Sequence, residues 1–115
     1  MSPAEGLSEL AKFLIQGSYT ADGVKGLIKE GGTGRQAAVQ QAVEGVGGTI
    51  DCMYYTFGTN DVIVICDMPE TTSGLAISLA VNASGAVRIS TTPLLSVADV
   101  DAACQKVVRY RPAGS

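Results

Sequence analysis

The chain of 115 residues contains no histidine and no tryptophan. Without an imidazole, zinc centres of the common types, haem held by histidine, and Ser-His or Cys-His nucleophile pairs are excluded. The three cysteines, Cys52, Cys66 and Cys104, are odd in number and form no Cys-x-x-Cys pair. They sit among apolar neighbours, which fits reduced thiols in the core of a cytosolic protein. Positive charge is scarce too: eight Lys and Arg against eleven Asp and Glu leave a net charge of -3 with no basic run. A nucleic-acid footprint is not expected. Gly, Ser, Asn or Asp cuts every apolar run well short of the ~20 residues that a membrane span requires. Residues 1–10 also lack the basic start and apolar stretch of a secretion signal. The expected address is the cytoplasm, with no membrane partner, no metal and no cofactor.

What the chain does have is apolar bulk. Apolar residues make up 46% and charged residues 17%, with a mean hydropathy of +0.25. That balance is high for a small soluble monomer and implies apolar surface buried between copies. The stretch Tyr55 to Asp67 carries the clue furthest. It reads as the end of one strand, a turn at Gly58-Thr59-Asn60-Asp61, and a second strand, Val62 to Cys66, with no polar face. A strand apolar on both sides must be covered on both sides.

Along the chain, residues 1–11 read as a lead-in, residues 12–110 as one domain and residues 111–115 as a tail. From Lys12 a strand places Phe13, Ile15 and Tyr19 on one face and Leu14, Gln16 and Ser18 on the other. Thr20 caps a helix that should break at Gly31, Gly32 and Gly34. A second helical stretch, with Ala38, Val39, Ala42, Val43 and Val46 as its core stripe, should end at Gly47 and Gly48. Strict alternation from Thr49 to Phe57 puts Ile50, Cys52 and Tyr54 opposite Asp51, Met53 and Tyr55. Pro69 and Glu70 open another helix that Asn82 to Gly85 ends. The last strand runs from Ala86 to Pro93, where proline should stop the ladder. Ser96 and Asp99 make a capping pattern for a final helix through Val97, Val100, Cys104, Val107 and Val108.

The order is strand, helix, strand, strand, helix, strand, with a C-terminal helix added. This is the α+β, ferredoxin-like βαββαβ pattern: a four-stranded antiparallel sheet with its main helices on one face. An open face lined by apolar side chains calls for a second copy packed sheet to sheet, a dimeric α+β barrel.

The segments KFLIQGSYTADGVKGLIKEGG, the Gly58 to Asp61 turn and LAVNASGAVRISTTPLL resemble the GYD-domain family over about residues 12 to 103. That family takes its name from a Gly-x-Tyr-Asp-like turn, and Asn60 stands here where tyrosine is usual. The resemblance implies a ferredoxin-like fold that associates as dimeric α+β barrels do, and brings no established activity.

Three places are candidates for chemistry. Gly31-Gly32-Thr33-Gly34-Arg35 offers amides, a hydroxyl and a cation that could hold an anion, without Walker spacing; the plainer reading is a helix break with a solvated Arg35. In the hairpin, Asn60 and Asp61 could contact a ligand or a neighbouring copy, or simply bond their own backbone. A cleft built from Gln16, Ser18, Tyr19, Tyr54, Tyr55, Arg88 and Thr92 could take a small ligand. There Arg88 would clamp a carboxylate or else pair with an acid between copies. The expected function is a non-catalytic homo-oligomeric domain that binds a small molecule or a protein. The alternatives are a cofactor-independent enzyme using Tyr19, Tyr55 and Arg88, and a purely structural assembly unit.

Overall fold

The computed structural model describes residues 10–56 and 58–114. Phe57, Ser115 and most of the expected lead-in, including Leu7, lie outside that range. The elements are β1 (Ala11–Tyr19), α1 (Ala21–Gly45), β2 (Thr49–Tyr55), β3 (Val62–Met68), α2 (Thr71–Ser84), β4 (Val87–Leu94) and α3 (Val97–Cys104). The four strands form one antiparallel sheet in the order β2-β3-β1-β4, consistent with the ferredoxin-like arrangement.

Alternation on the central strands assigns the two faces. Phe13 and Ile15 of β1 and Val62, Val64, Cys66 and Met68 of β3 are buried, and with Val43 of α1 and Ile77 of α2 they form the core. Burial of each such aliphatic or aromatic side chain stabilises the fold by about 1.5–3 kcal/mol. Gly74 of α2 lies against Phe13, whose ring would be 3.0 Å from a Cβ at that position, so the helix reaches the sheet closely. The same alternation turns Leu14, Ile63 and Ile65 to the other face, where they are half-buried and no helix among the described residues covers them.

Two polar groupings frame that open face. At one end Lys12 bonds Asp51 and lies 3.0 Å from Asp67; at the other, Arg88 is paired in register with Ser18. The contact with Lys12 holds the Asp51 carboxyl below its usual range and raises the ammonium of Lys12.

Several expectations change in detail. The register of β2 shifts between Ile50 and Cys52, so Asp51 is the extra residue of a bulge. Beyond it Met53 and Tyr55 pair with Val64 and Val62 on the helix side, while Cys52 and Tyr54 pair with Ile65 and Ile63 on the open side. Strict alternation had joined Cys52 and Tyr54 to Ile50. The cysteines also differ from one another: Cys66 is buried, Cys52 is half-buried and Cys104 is exposed, so only Cys66 is a core thiol.

The break or kink expected in α1 is present but falls at Gly31 alone, with φ 78 and ψ 167; the second helical stretch that follows takes in Gly32 and Gly34. Glu70, with extended backbone, is the N-cap of α2, so Pro69 precedes the helix instead of entering its first turn. Pro93 pairs with Phe13 within β4 and does not stop it. β4 is an edge strand, where a missing donor costs no ladder bond. Its Ile89 N–H donates to the Asn82 side chain (2.8 Å), whose amide donates back to the Ile89 carbonyl (3.2 Å).

Ser96 and Asp99 do form a capping box, with both hydrogen bonds at 3.0 Å. The helix they start ends at Cys104, however, leaving Val107 and Val108 beyond it. No helix among the described residues is long and apolar enough to cross a membrane.

Candidate functional site

The site lies between α1 and the sheet. The Thr20 hydroxyl accepts from the Gly23 N–H (3.2 Å) and donates toward the Gly85 carbonyl (2.9 Å), while the Thr20 N–H bonds the Ala86 carbonyl (3.0 Å). The start of α1 is thereby tied to the lead-in of β4. Gly23 permits this: a Cβ there would fall 1.8 Å from the Ala86 oxygen. About two helical turns further on, the positive φ of Gly31 redirects the chain. Past that kink Arg35, Ala38, Val39 and Val43 face the sheet.

Between them is an apolar cavity of about 100 Å³, floored by Ile15, Val62, Val64, Val87 and Ile89 and closed by Ile77 and Val81 of α2. Tyr19 and Arg35 are its polar members. Tyr19 also lines a wider cleft of about 440 Å³ with Val24, Leu27, Tyr55 and Asp61. Tyr19 and Arg35 together line a third hollow with Asp22 and Glu30. Arg35 rests 3.4 Å from Glu30 and is partly buried, so it is not the freely solvated side chain the plainer sequence reading supposed.

The two tyrosines are held by different means. The Tyr55 hydroxyl donates to the Gly32 carbonyl just past the kink (2.9 Å). Burial pushes its phenol above the ordinary value; the neighbouring Tyr19 adds to the push and Arg35 opposes it. Tyr55 therefore stays protonated at neutral pH, a donor rather than a base. Tyr19 is fixed through its backbone, whose N–H donates to the Asp61 carboxylate (2.9 Å).

The hairpin loop thus serves β1. The Asp61 N–H bonds the Gly17 carbonyl (2.7 Å), the Ser18 hydroxyl donates to the Thr59 carbonyl (2.8 Å), and the Asn60 carbonyl accepts from the Thr56 hydroxyl. The Asn60 side chain lies 3.5 Å from Ser18. The side chains of Asn60 and Asp61 reach across to β1 instead of bonding only their own turn.

The residues grouped as one cleft in the sequence separate onto two faces. Tyr19, Tyr55 and Asp61 gather on the helix side. Gln16, Arg88 and Thr92 lie with Ser18 and Tyr54 on the open face, because Gln16, Ser18 and Leu14 alternate with the buried positions of β1 and pair with Ser90, Arg88 and Thr92. Arg88 therefore does not share a site with Tyr19 and Tyr55 within one chain. The cation that does is Arg35. Its place in the weak Gly-rich segment was visible, but its direction depended on which glycine broke the helix.

No curated protein and no solved structure matches the chain. The family model of the GYD domain matches residues 13–104, most of its length, and the chain belongs to that family.

Proposed function

We propose that this is a cytoplasmic, homo-oligomeric binding domain that holds a small, largely apolar molecule bearing an acid group beneath α1. The observation that carries the reading is the placement of Arg35 and Tyr19 on an otherwise apolar cavity. An unfilled apolar space with few convergent polar groups is the usual form of a small-ligand site. A guanidinium beside it selects a carboxylate in two-pronged geometry. Glu30 holds Arg35 only loosely, at 3.4 Å on the surface, so an incoming acid would replace a weak partner. At the neighbouring cleft the Tyr55 hydroxyl, whose proton goes to the Gly32 carbonyl, offers an acceptor lone pair.

Association between copies is proposed through the open face, as in a dimeric α+β barrel. Leu14, Ile63 and Ile65 give that face an apolar centre without a covering layer. Its ends differ in charge, with Asp51 and Asp67 outnumbering Lys12 at one and Arg88 at the other. A twofold axis running across the strands would bring each copy's Arg88 to the other's acidic end.

Native mass spectrometry of freshly purified protein tests the ligand reading. A retained small acid in the wild type that is lost in Arg35→Ala is the expected result. Ligand-free protein that gains no thermal stability from a panel of aromatic and aliphatic carboxylates would overturn it. A monomer mass at every concentration would overturn the association.

The second reading is catalysis without a cofactor in the neighbouring cleft, favoured by the protonated Tyr55 phenol, which lies there with Tyr19 and would exchange its bond to the Gly32 carbonyl for one to a ligand. Turnover of a retained ligand that Tyr55→Phe abolishes, with binding intact, would select it.

A further inference from the structure

We propose that residues 95–110 form an exchanged arm that packs against a second copy of this chain. This goes beyond the pairing of open faces and rests on it. Every residue from Leu95 to Tyr110 is exposed, and α3 buries none of its side chains. Yet the arm is apolar: Val97, Val107, Val108 and Tyr110 are 75–93% exposed. On α3, Val97, Val100 and Cys104 recur at three and four residue steps, a stripe that a helix presents to a partner.

The arm does not turn back over its own sheet, and α3 buries none of its side chains there. Leu95 alone separates β4 from Ser96, and the capping box fixes the helix direction at that point. It leaves instead at the Lys12 end of the open face, where a groove of about 530 Å³ is lined by Lys12, Asp67, Leu95, Ser96 and Asp99. With the twofold axis across the strands, that end meets the other copy's Arg88 end. The acidic part of the arm is α3, with Asp99 and Asp101, while Lys106 and Arg109 follow it; the helix is thus the part whose charge complements Arg88 there.

Area points the same way. Four strands about 4.8 Å apart and about 25 Å long present roughly 500 Å². Two such faces together bury on the order of 1,000 Å², short of the roughly 1,600 Å² of a stable interface. At roughly 30 Å² per interface residue, the arm's sixteen or so residues add about 500 Å² from each copy and close the deficit.

The test uses the full chain. Its dimer dissociation constant is measured by sedimentation for the wild type and for the double variant V107D/V108D, whose positions are too exposed in the single chain to affect its fold. Circular dichroism checks that the secondary structure is unchanged. Alkylation of Cys104 is timed across the same concentrations. The expected results are a dissociation constant weakened at least tenfold in the variant, and Cys104 labelling in the wild type that slows at least tenfold as dimer forms. A dimer that is indifferent to the double variant, with Cys104 labelling at one rate throughout, overturns the exchange and leaves face pairing standing. Cys104 protected equally at all concentrations places the arm on its own chain and also overturns it. A wild type that is monomeric at every concentration removes both ideas.

Discussion

The Tyr55 hydroxyl on β2 donates a 2.9 Å hydrogen bond to the carbonyl of Gly32 on α1, tying the sheet edge to the helix one residue after its kink. Tyr55→Phe removes this bond and should cost about 0.5–1.5 kcal/mol in urea denaturation. Gly31 keeps its left-handed backbone in the variant, so the helix content by circular dichroism should be unchanged.

The same phenol gives a pH prediction. Absorbance titration of the wild type should show one tyrosine ionising above the ordinary range, and Tyr55→Phe should remove that step. Tyr19→Phe should lower the step, since a neighbouring phenolate no longer opposes ionisation, and Arg35→Gln should raise it. A Tyr55 step within the ordinary phenol range would contradict the packing described.

Gly23→Ala should be among the most damaging single changes. The added methyl would sit 1.8 Å from the Ala86 oxygen, so α1 or β4 must move. Overpacking of this kind costs typically 1–3 kcal/mol, and the contact is backbone, which yields least. Gly26→Ala, with open space around it, should be neutral or mildly stabilising by thermal melt.

Cys66 supplies a second pH effect. Burial pushes its thiol up to about 11, with Asp67 and Asp51 adding to the shift and Lys12 opposing it. The folded-state value is raised, so the protonated thiol's contribution is complete below the unfolded value of about 8.5 and is lost as pH rises through 11. The stability difference between wild type and Cys66→Ala should shrink by about 2–3 kcal/mol over that window. At neutral pH Cys104 should react with thiol reagents long before Cys66 does.

Thr91 offers a stabilising change. Among the described residues its Oγ1 is the buried side-chain oxygen without a hydrogen-bond partner. Thr91→Val keeps the shape and removes the unmet polar group, so it should raise the unfolding free energy by about 1 kcal/mol in urea denaturation.

The element order was legible in the sequence because the signals are local: Thr20 and Ser96 are caps, Gly47 and Gly85 end helices, and β3 is apolar from Val62 to Cys66. What eluded it depends on partners distant in the chain. The Asp51 bulge carries a carboxylate that meets Lys12 of β1, a partner distant in the chain, and an aspartate in an apolar alternation is the one local hint. Pro93 is harmless only because β4 is at an edge, a fact of sheet order. The candidate site is half legible: residue type and spacing point to Tyr19 and Tyr55, but they set Arg88 beside them and leave Arg35 either an anion holder in a separate Gly-rich segment or simply solvated.

The two edges of the sheet are both spoiled as templates for further strands. On β4, Pro93 has no N–H, and Asn82 already occupies the outward groups of Ile89. On β2, the Asp51 bulge interrupts the row of backbone groups. An incoming extended chain would find neither edge able to continue a ladder. Growth of this sheet by ribbon-like stacking is discouraged at both margins, so its apolar face can stand open without inviting fibrous aggregation.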